Sequence, residues 1–190
     1  MSNRWLFVLS FLLLLAAVRA FAEEPAKPAA SPSPVTMLAD LRTNQAGIFE
    51  YGTWKGKLAV SPSGMAVLGS KGAFGNGGFG RDLPAPLDCT AVTFVEVALG
   101  TAASNQVPQI TVALNDADGT QFSARIAIEQ LVPGMPVWLR APKSAFKLNG
   151  VEPGSDSKMD WTKVTRWHLQ GDWTTEQPMS LIFVALQVRK

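Results

Sequence analysis

The chain has 190 residues, of which 17 are lysine or arginine, 15 are aspartate or glutamate and one is cysteine. A formal net charge of only +2 excludes the strongly basic surface that binds nucleic acids or anionic membranes. A single cysteine excludes an internal disulfide, so the fold must be stabilised by packing.

The N-terminus has the pattern of a secretory signal. Arg4 precedes an uncharged apolar run at residues 5–18 (WLFVLSFLLLLAAV), which is followed by Arg19 and by the small-residue sequence AFA at residues 20–22. The run is shorter than the roughly 20 apolar residues that a bilayer span requires. We therefore expect residues 1–22 to be a cleaved signal peptide, and the product to be secreted or periplasmic with no membrane span.

A linker and one domain are predicted after the signal. Residues 23–34 (EEPAKPAASPSP) contain four prolines and no large apolar side chain, a composition typical of a semi-stiff tether. Residues 35–190 are long enough to bury the core of a single domain. Loss of Arg4 and Arg19 with the signal leaves 15 basic and 15 acidic residues, so we expect no nucleic-acid partner.

The domain has the sequence pattern of an all-β fold. Its apolar residues lie in short segments rich in Val, Ile, Thr and aromatic residues, separated by Gly, Pro, Asn and Asp. The sequence predicts about eight strands, drawn from residues 36–41, 58–60, 65–68, 91–99, 109–114, 120–128, 136–140, 163–169 and 180–188. Because the last of these is apolar on both faces, it should be a central strand between two packed sheets.

The clearest hairpin lies in the middle of the chain. Residues 115–119 (NDADG) form a turn signal, in which Gly119 can adopt the positive φ that such a turn needs. In the following strand Phe122 and Ile126 alternate with polar residues such as Ser123 and Arg125. This alternation predicts a sheet with one buried and one solvated face.

Three later segments complete the pattern: PGMPVWL at residues 133–139, DWTKVTRWHLQG at residues 160–171, and the closing strand SLIFVALQV at residues 180–188. Together with the hairpin they resemble galactose-binding-domain-like jelly rolls and carbohydrate-binding modules, over residues 36–188. The resemblance implies a two-sheet antiparallel jelly-roll sandwich. It also implies, as in many members, a sugar site on loops or on a concave sheet face, and a structural calcium ion.

The closing strand lacks the acidic residue that such modules often place there, which weakens the expectation of calcium. No histidine-rich or cysteine-rich cluster occurs, so we expect no zinc or other transition-metal site and no cofactor.

A glycine-rich segment at residues 75–80 (GNGGFG) satisfies the G-x-G-x-x-G pattern of dinucleotide-binding folds. Pro84 and Pro86 follow, which exclude the helix that a Rossmann site requires. We therefore interpret residues 71–82 as a surface loop. It would present candidate ligand-binding side chains at one end of the sandwich, namely Phe74, Phe79, Arg81 and Asp82.

Five tryptophans remain beyond the signal, and tryptophan is well suited to stacking on a sugar ring. Trp167 alternates with Arg166 and His168, so the tryptophan should face the core. Trp54 and Trp173 lie in polar, turn-like stretches and are the best candidates for exposed ligand-binding rings. The alternative for both is that they pack against the core or under a loop.

Glu96 is the most conspicuous carboxylate, because it interrupts the apolar strand TFVEVAL. It is either paired with a cation or exposed on a binding face. We expect one sheet face to carry a set of candidate ligand-binding residues, namely Glu96, Arg125, Trp138 and Arg140.

Asp116 and Asp118 belong to a turn, where aspartate commonly occurs for conformational reasons. We assign no catalytic residue.

Three functions stay open from sequence. The first is an exported noncatalytic module that binds a glycan. The second is a structural or protein-interaction domain of the cell envelope, whose partner would be an envelope protein. The third is a small polysaccharide-active enzyme, which would need Glu96 and a second acid or His168 to converge in a pocket.

Overall fold

The computed structural model describes residues 33–68, 76–171 and 177–190, with only the backbone described for residues 65–68. The described residues belong to one compact unit, Ser33–Lys190. The predicted signal and nearly all of the predicted linker lie outside them. No helix within these ranges is long and apolar enough to cross a membrane.

The described chain contains twelve strands and one short 3-10 turn at Lys143–Ala145. In chain order the strands are β1 (Val35–Asp40), β2 (Phe49–Gly52), β3 (Leu58–Ser61), β4 (Gly64–Leu68), β5 (Gly77–Leu87), β6 (Phe94–Thr101), β7 (Gln109–Asp116), β8 (Thr120–Ala127), β9 (Val137–Pro142), β10 (Lys147–Val151), β11 (Val164–Gln170) and β12 (Ser180–Arg189).

The strands form two six-stranded antiparallel sheets. Sheet A has the order β3-β4-β12-β6-β9, and β1 also pairs with β12. Sheet B has the order β10-β8-β7-β11-β5-β2. The closing strand β12 is central, as its apolar sequence predicts, and the all-β sandwich is confirmed.

The core lies between the sheets, and aromatic side chains from both sheets meet in it. Trp54, Phe79, Trp167 and Phe183 are completely buried. Ring centroids of Phe79 lie 5.9 Å from Trp167 and 5.3 Å from Phe183, which joins sheet B to sheet A. Each strand therefore has one face toward this core and one face away from it, which we call its outer face.

The hairpin of β7 and β8 is confirmed, with Gly119 at φ 90° in its turn. The nine predicted segments correspond to nine of the twelve described strands, and β2, β5 and β10 were not predicted. Strand β5 was assigned to a loop on the basis of its glycines and prolines. Tertiary pairing overrides that local signal, since β11 pairs along the strand from Gly78 to Leu87.

Candidate functional site

The outer face of sheet B presents polar side chains over a floor of small residues. Strand register places these residues in two parallel rows across the sheet. One row is Arg125, Thr111, Gln170, Gly78 and Tyr51, and the next is Ser123, Ala113, His168, Gly80 and Phe49.

Two glycines of β5 allow aromatic rings to lie across this face. A Cβ atom added to Gly80 would stand 2.9 Å from Phe49 Cζ, and one added to Gly78 would overlap the Tyr51 hydroxyl. Any larger residue would therefore displace the rings of β2. The packing of this face therefore requires glycine at positions 78 and 80.

His168 lies beneath the two rings. Its ring centroid is 5.4 Å from that of Phe49 and 5.7 Å from that of Tyr51, both in edge-to-face geometry. The residue is only 6% exposed, and neither Nδ1 nor Nε2 has a hydrogen-bond partner among the described residues. Burial, aided by the charge of Arg166, lowers the pKa of His168 to about 4, so the imidazole is neutral at pH 7.

The space above His168 is an open depression of about 550 Å³. Its described lining consists of Tyr51, Gln121, Asn149, His168 and Gln170. Asn149 Nδ2 donates to Gln121 Oε1 at 2.8 Å, so the amides are held in place by one another. Side-chain amides both donate and accept hydrogen bonds, which suits them to a ligand covered in hydroxyl groups.

Arg166 in β11 contacts the edge of this face through Phe49, Asp82 and Glu152. Its guanidinium lies over the Phe49 ring, 5.5 Å from the centroid. Nε donates to Asp82 Oδ1 at 2.5 Å, and Nη1 to Glu152 Oε1 at 3.5 Å. The charge of Arg166 is thus balanced, and its main contribution is to hold Phe49.

Two predicted ligand-binding residues lie in the core instead. Trp54 and Phe79 are completely buried, and their ring centroids are 6.1 Å apart. Of the two placements that the sequence left open for Trp54, exposed ring or core packing, the structure has core packing, because the turn that carries it folds inward against β5. Gly77 provides the space, since a Cβ atom there would stand 2.5 Å from Trp54 Cγ.

The predicted loop at residues 71–82 is wrong from Gly77 onward, where the chain forms β5. Arg81 and Asp82 lie in β5, where Arg81 Nη2 donates to the Leu38 carbonyl at 2.9 Å and Asp82 pairs with Arg166. Both are held by the fold rather than presented on a loop. Phe74 and Trp173 lie outside the described residues, so their predicted roles stay predictions.

The four residues expected on one sheet face are divided between two. Glu96, Trp138 and Arg140 belong to sheet A, where β6 pairs with β9, whereas Arg125 is on the outer face of sheet B. The prediction that they share a face was wrong. Glu96 is 2% exposed and is bound by Arg189, while Trp138 is 47% exposed.

The carboxylates of the acidic turn after β7 accept hydrogen bonds from backbone N–H groups. Asp116 Oδ1 and Oδ2 accept backbone N–H groups of Thr120 and Asp160, and Asp118 accepts those of Thr120 and Asp156. These bonds hold the turn together, and the expectation about a structural calcium ion stays a prediction. Within the described ranges, no group of three or more His, Cys, Asp or Glu side chains is placed to hold a metal ion.

Sequence reasoning did not predict the residues around the depression. Phe49 and Tyr51 are in a four-residue strand, and Gln121, Asn149 and Gln170 look like ordinary solvated positions. One signal was available. An inward Trp167 requires His168 to face outward, and two glycines alternating in the neighbouring strand leave room above it.

The chain matches no protein-family model, and no curated protein matches it. Solved structures share its fold. A family 11 carbohydrate-binding module from Clostridium thermocellum, in complex with a beta-1,3-1,4-mixed-linked tetrasaccharide, is 17% identical with a TM-score of 0.56. That alignment covers 83% of this chain and 96% of the module.

A xylan-binding module of family 15 is also similar, at 11% identity with a TM-score of 0.50. The alignment covers 83% of this chain and 96% of that one. The fold is therefore the β-jelly roll of carbohydrate-binding modules, as the resemblance in the sequence implied.

Proposed function

We propose that this chain is an exported, noncatalytic module that binds a carbohydrate chain across the outer face of sheet B. The observation that carries the proposal is His168. A buried imidazole with two unpartnered nitrogens is costly to the fold, and a ligand hydroxyl that enters from the depression as the Phe49 or Tyr51 ring shifts would satisfy one of them. The shared fold supports the proposal, since the two similar structures named above are carbohydrate-binding modules.

The dimensions of the face favour an extended glycan over a single sugar. Six strands at about 4.8 Å spacing make the sheet about 24 Å wide from β2 to β10. Phe49 and Tyr51 at one side offer apolar ring surface, and Gln121 and Asn149 at the other side offer amides. A ligand of several linked sugars can touch both sides at once, whereas a monosaccharide cannot.

Export supports the same function, because polysaccharides are encountered outside the cytoplasm. We expect the signal-like residues 1–22 to direct export, and the Pro-rich residues 23–34 to act as a tether for the domain in the periplasm or medium.

The alternative function, an envelope protein-interaction domain, is favoured by one feature. Four exposed apolar residues lie within seven positions around the start of β9: Val132, Met135, Val137 and Trp138.

The test is a glycan-array screen of the purified protein, followed by calorimetry on each hit with His168→Phe. The phenyl ring keeps the packing against Phe49 and Tyr51 but removes both nitrogens. We expect a loss of affinity of at least about tenfold, as for a lost hydrogen bond in a desolvated site. Trp138→Ala, on sheet A, is the matched control and should bind normally.

Unchanged binding by His168→Phe would show that the glycan lies elsewhere. Loss of binding by Trp138→Ala alone would move the site to sheet A. A screen in which no glycan binds would contradict the proposal and leave the interaction-domain alternative.

A further inference from the structure

Two cations stand side by side on the outer face of sheet B. Lys147 in β10 is directly opposite Ser123 in β8, and Arg125 is two residues further along β8 on the same face. Diagonal positions of this kind are about 7–8 Å apart, within reach of long side chains. Both residues are exposed.

Neither cation has a counterion in the described chain. Lys147 Nζ donates only to the Ser144 carbonyl, and no described carboxylate forms a salt bridge with Lys147 or Arg125. Two carboxylates near this face, Asp82 in β5 and Glu152 directly after β10, are both bound to Arg166. The charges of Arg125 and Lys147 are therefore left unbalanced at their end of β8 and β10.

Like charges at diagonal positions of a strand pair repel one another, and a bound anion would relieve that repulsion. Lys147 lies in the same row as Ser123, Ala113 and His168, and Arg125 lies in the next row. The two small residues, Ser123 and Ala113, separate the cations from the depression over His168. A guanidinium binds a planar or tetrahedral oxyanion through paired N–H donors, and an ammonium adds a point charge.

We infer that the glycan is anionic, and that Arg125 and Lys147 bind its carboxylate or sulfate group while the sugar chain continues over His168. The inference rests on the proposed function and specifies the ligand class of that site. A uronic acid and a sulfate ester supply the same chemistry, an oxyanion on a sugar ring.

The experiment compares matched polysaccharides by calorimetry on the purified protein. One pair is polygalacturonate with its carboxyl-reduced form, and the other is carrageenan with its desulfated form. We expect the anionic member of one pair to bind at least about tenfold tighter than its neutral partner, and the difference to shrink as salt is added. Which pair shows the preference identifies the oxyanion.

The double variant Arg125→Gln/Lys147→Gln should lose this preference and bind both members of the pair equally. Lys55→Gln/Lys158→Gln removes the same charge elsewhere on the surface and should keep the preference. All four substituted positions are exposed. Unfolding midpoints equal to that of the wild type would show that both double variants retain the fold.

Equal affinity for neutral and anionic glycans, or a preference that survives in Arg125→Gln/Lys147→Gln, would overturn the inference and leave the proposed function standing. Binding restricted to neutral glycans in the array would overturn it in the same way. A protein that binds no glycan of any kind would overturn the proposed function and the inference together.

Discussion

Glu96 and His168 are both buried titratable side chains on outer faces, one on sheet A and one on sheet B, yet their surroundings differ. Glu96 accepts hydrogen bonds from Gln187 Nε2 at 2.6 Å, from Arg189 Nε at 2.9 Å and from Arg189 Nη2 at 3.0 Å. The nitrogens of His168 have no described partner. A saturated buried group contributes to the fold, whereas an unsatisfied one beneath an open depression leaves a polar group that the proposed ligand would satisfy on reaching it.

The pKa values follow the same division. The Arg189 guanidinium holds the pKa of Glu96 below its usual range, so the carboxylate stays charged. Burial moves the pKa of His168 downward, so the imidazole stays neutral. Each group adopts the charge state that its neighbours can satisfy.

Removing Glu96 tests the structural half of this comparison and should have the largest effect. Glu96→Ala leaves Arg189 and Gln187 without their partner, and we expect a loss of about 3 kcal/mol in the free energy of unfolding. Urea unfolding followed by tryptophan fluorescence measures it. Asp40→Ala breaks the exposed pair with Arg42 and should cost less than about 1 kcal/mol.

Glycan affinity should not change in Glu96→Ala. If the variant unfolds normally but binds glycan weakly, Glu96 belongs to the binding site and the division between the two sheets fails.

Acid should weaken the fold through His168. Its pKa is about 4 in the folded chain against 6.5 for an ordinary histidine, so the unfolded chain binds more protons between these values. The free energy of unfolding should therefore fall by up to about 3 kcal/mol as the pH drops from 6.5 to 4, and the penalty is absent above pH 6.5.

The measurement is urea unfolding at each pH, for the wild type and for His168→Phe. Carboxylates titrate in both proteins, so the difference between the two curves isolates the histidine. Parallel curves would show that the imidazole is not desolvated in solution.

Filling the floor of the depression should give a smaller effect. Gly80→Ala places a Cβ atom against the Trp167 carbonyl and 2.9 Å from Phe49 Cζ, so the ring must move. We expect a loss of about 2 kcal/mol in unfolding free energy and weaker glycan binding. Unfolding and calorimetry on the same sample check both.

Gly150→Ala is the matched control on the same face. Its added Cβ atom would stand 3.9 Å from Gln121 Cβ, an ordinary contact, and should alter neither property appreciably. Equal effects from the two substitutions would show that the rings of β2 do not depend on Gly80.

The candidate site could be predicted only in part. Alternation in β8 correctly assigned Arg125 to a solvated face, and alternation in β11 correctly turned Trp167 inward. It could not show that Arg125 and Glu96 belong to different sheets, because strand order is a property of long-range pairing. Local composition also left open whether Trp54 is exposed or packed against the core, because a polar turn can fold its apolar side chain inward.

The sequence by itself determined the all-β class, the β7–β8 hairpin and the central position of β12, since periodicity and turn chemistry act over a few residues. Only the tertiary structure decided which outward residues meet. Phe49, His168 and Asn149 are far apart in the chain, and they reach one face because β2, β11 and β10 pair into the same sheet. Backbone hydrogen bonding between distant strands is what assembles the candidate site.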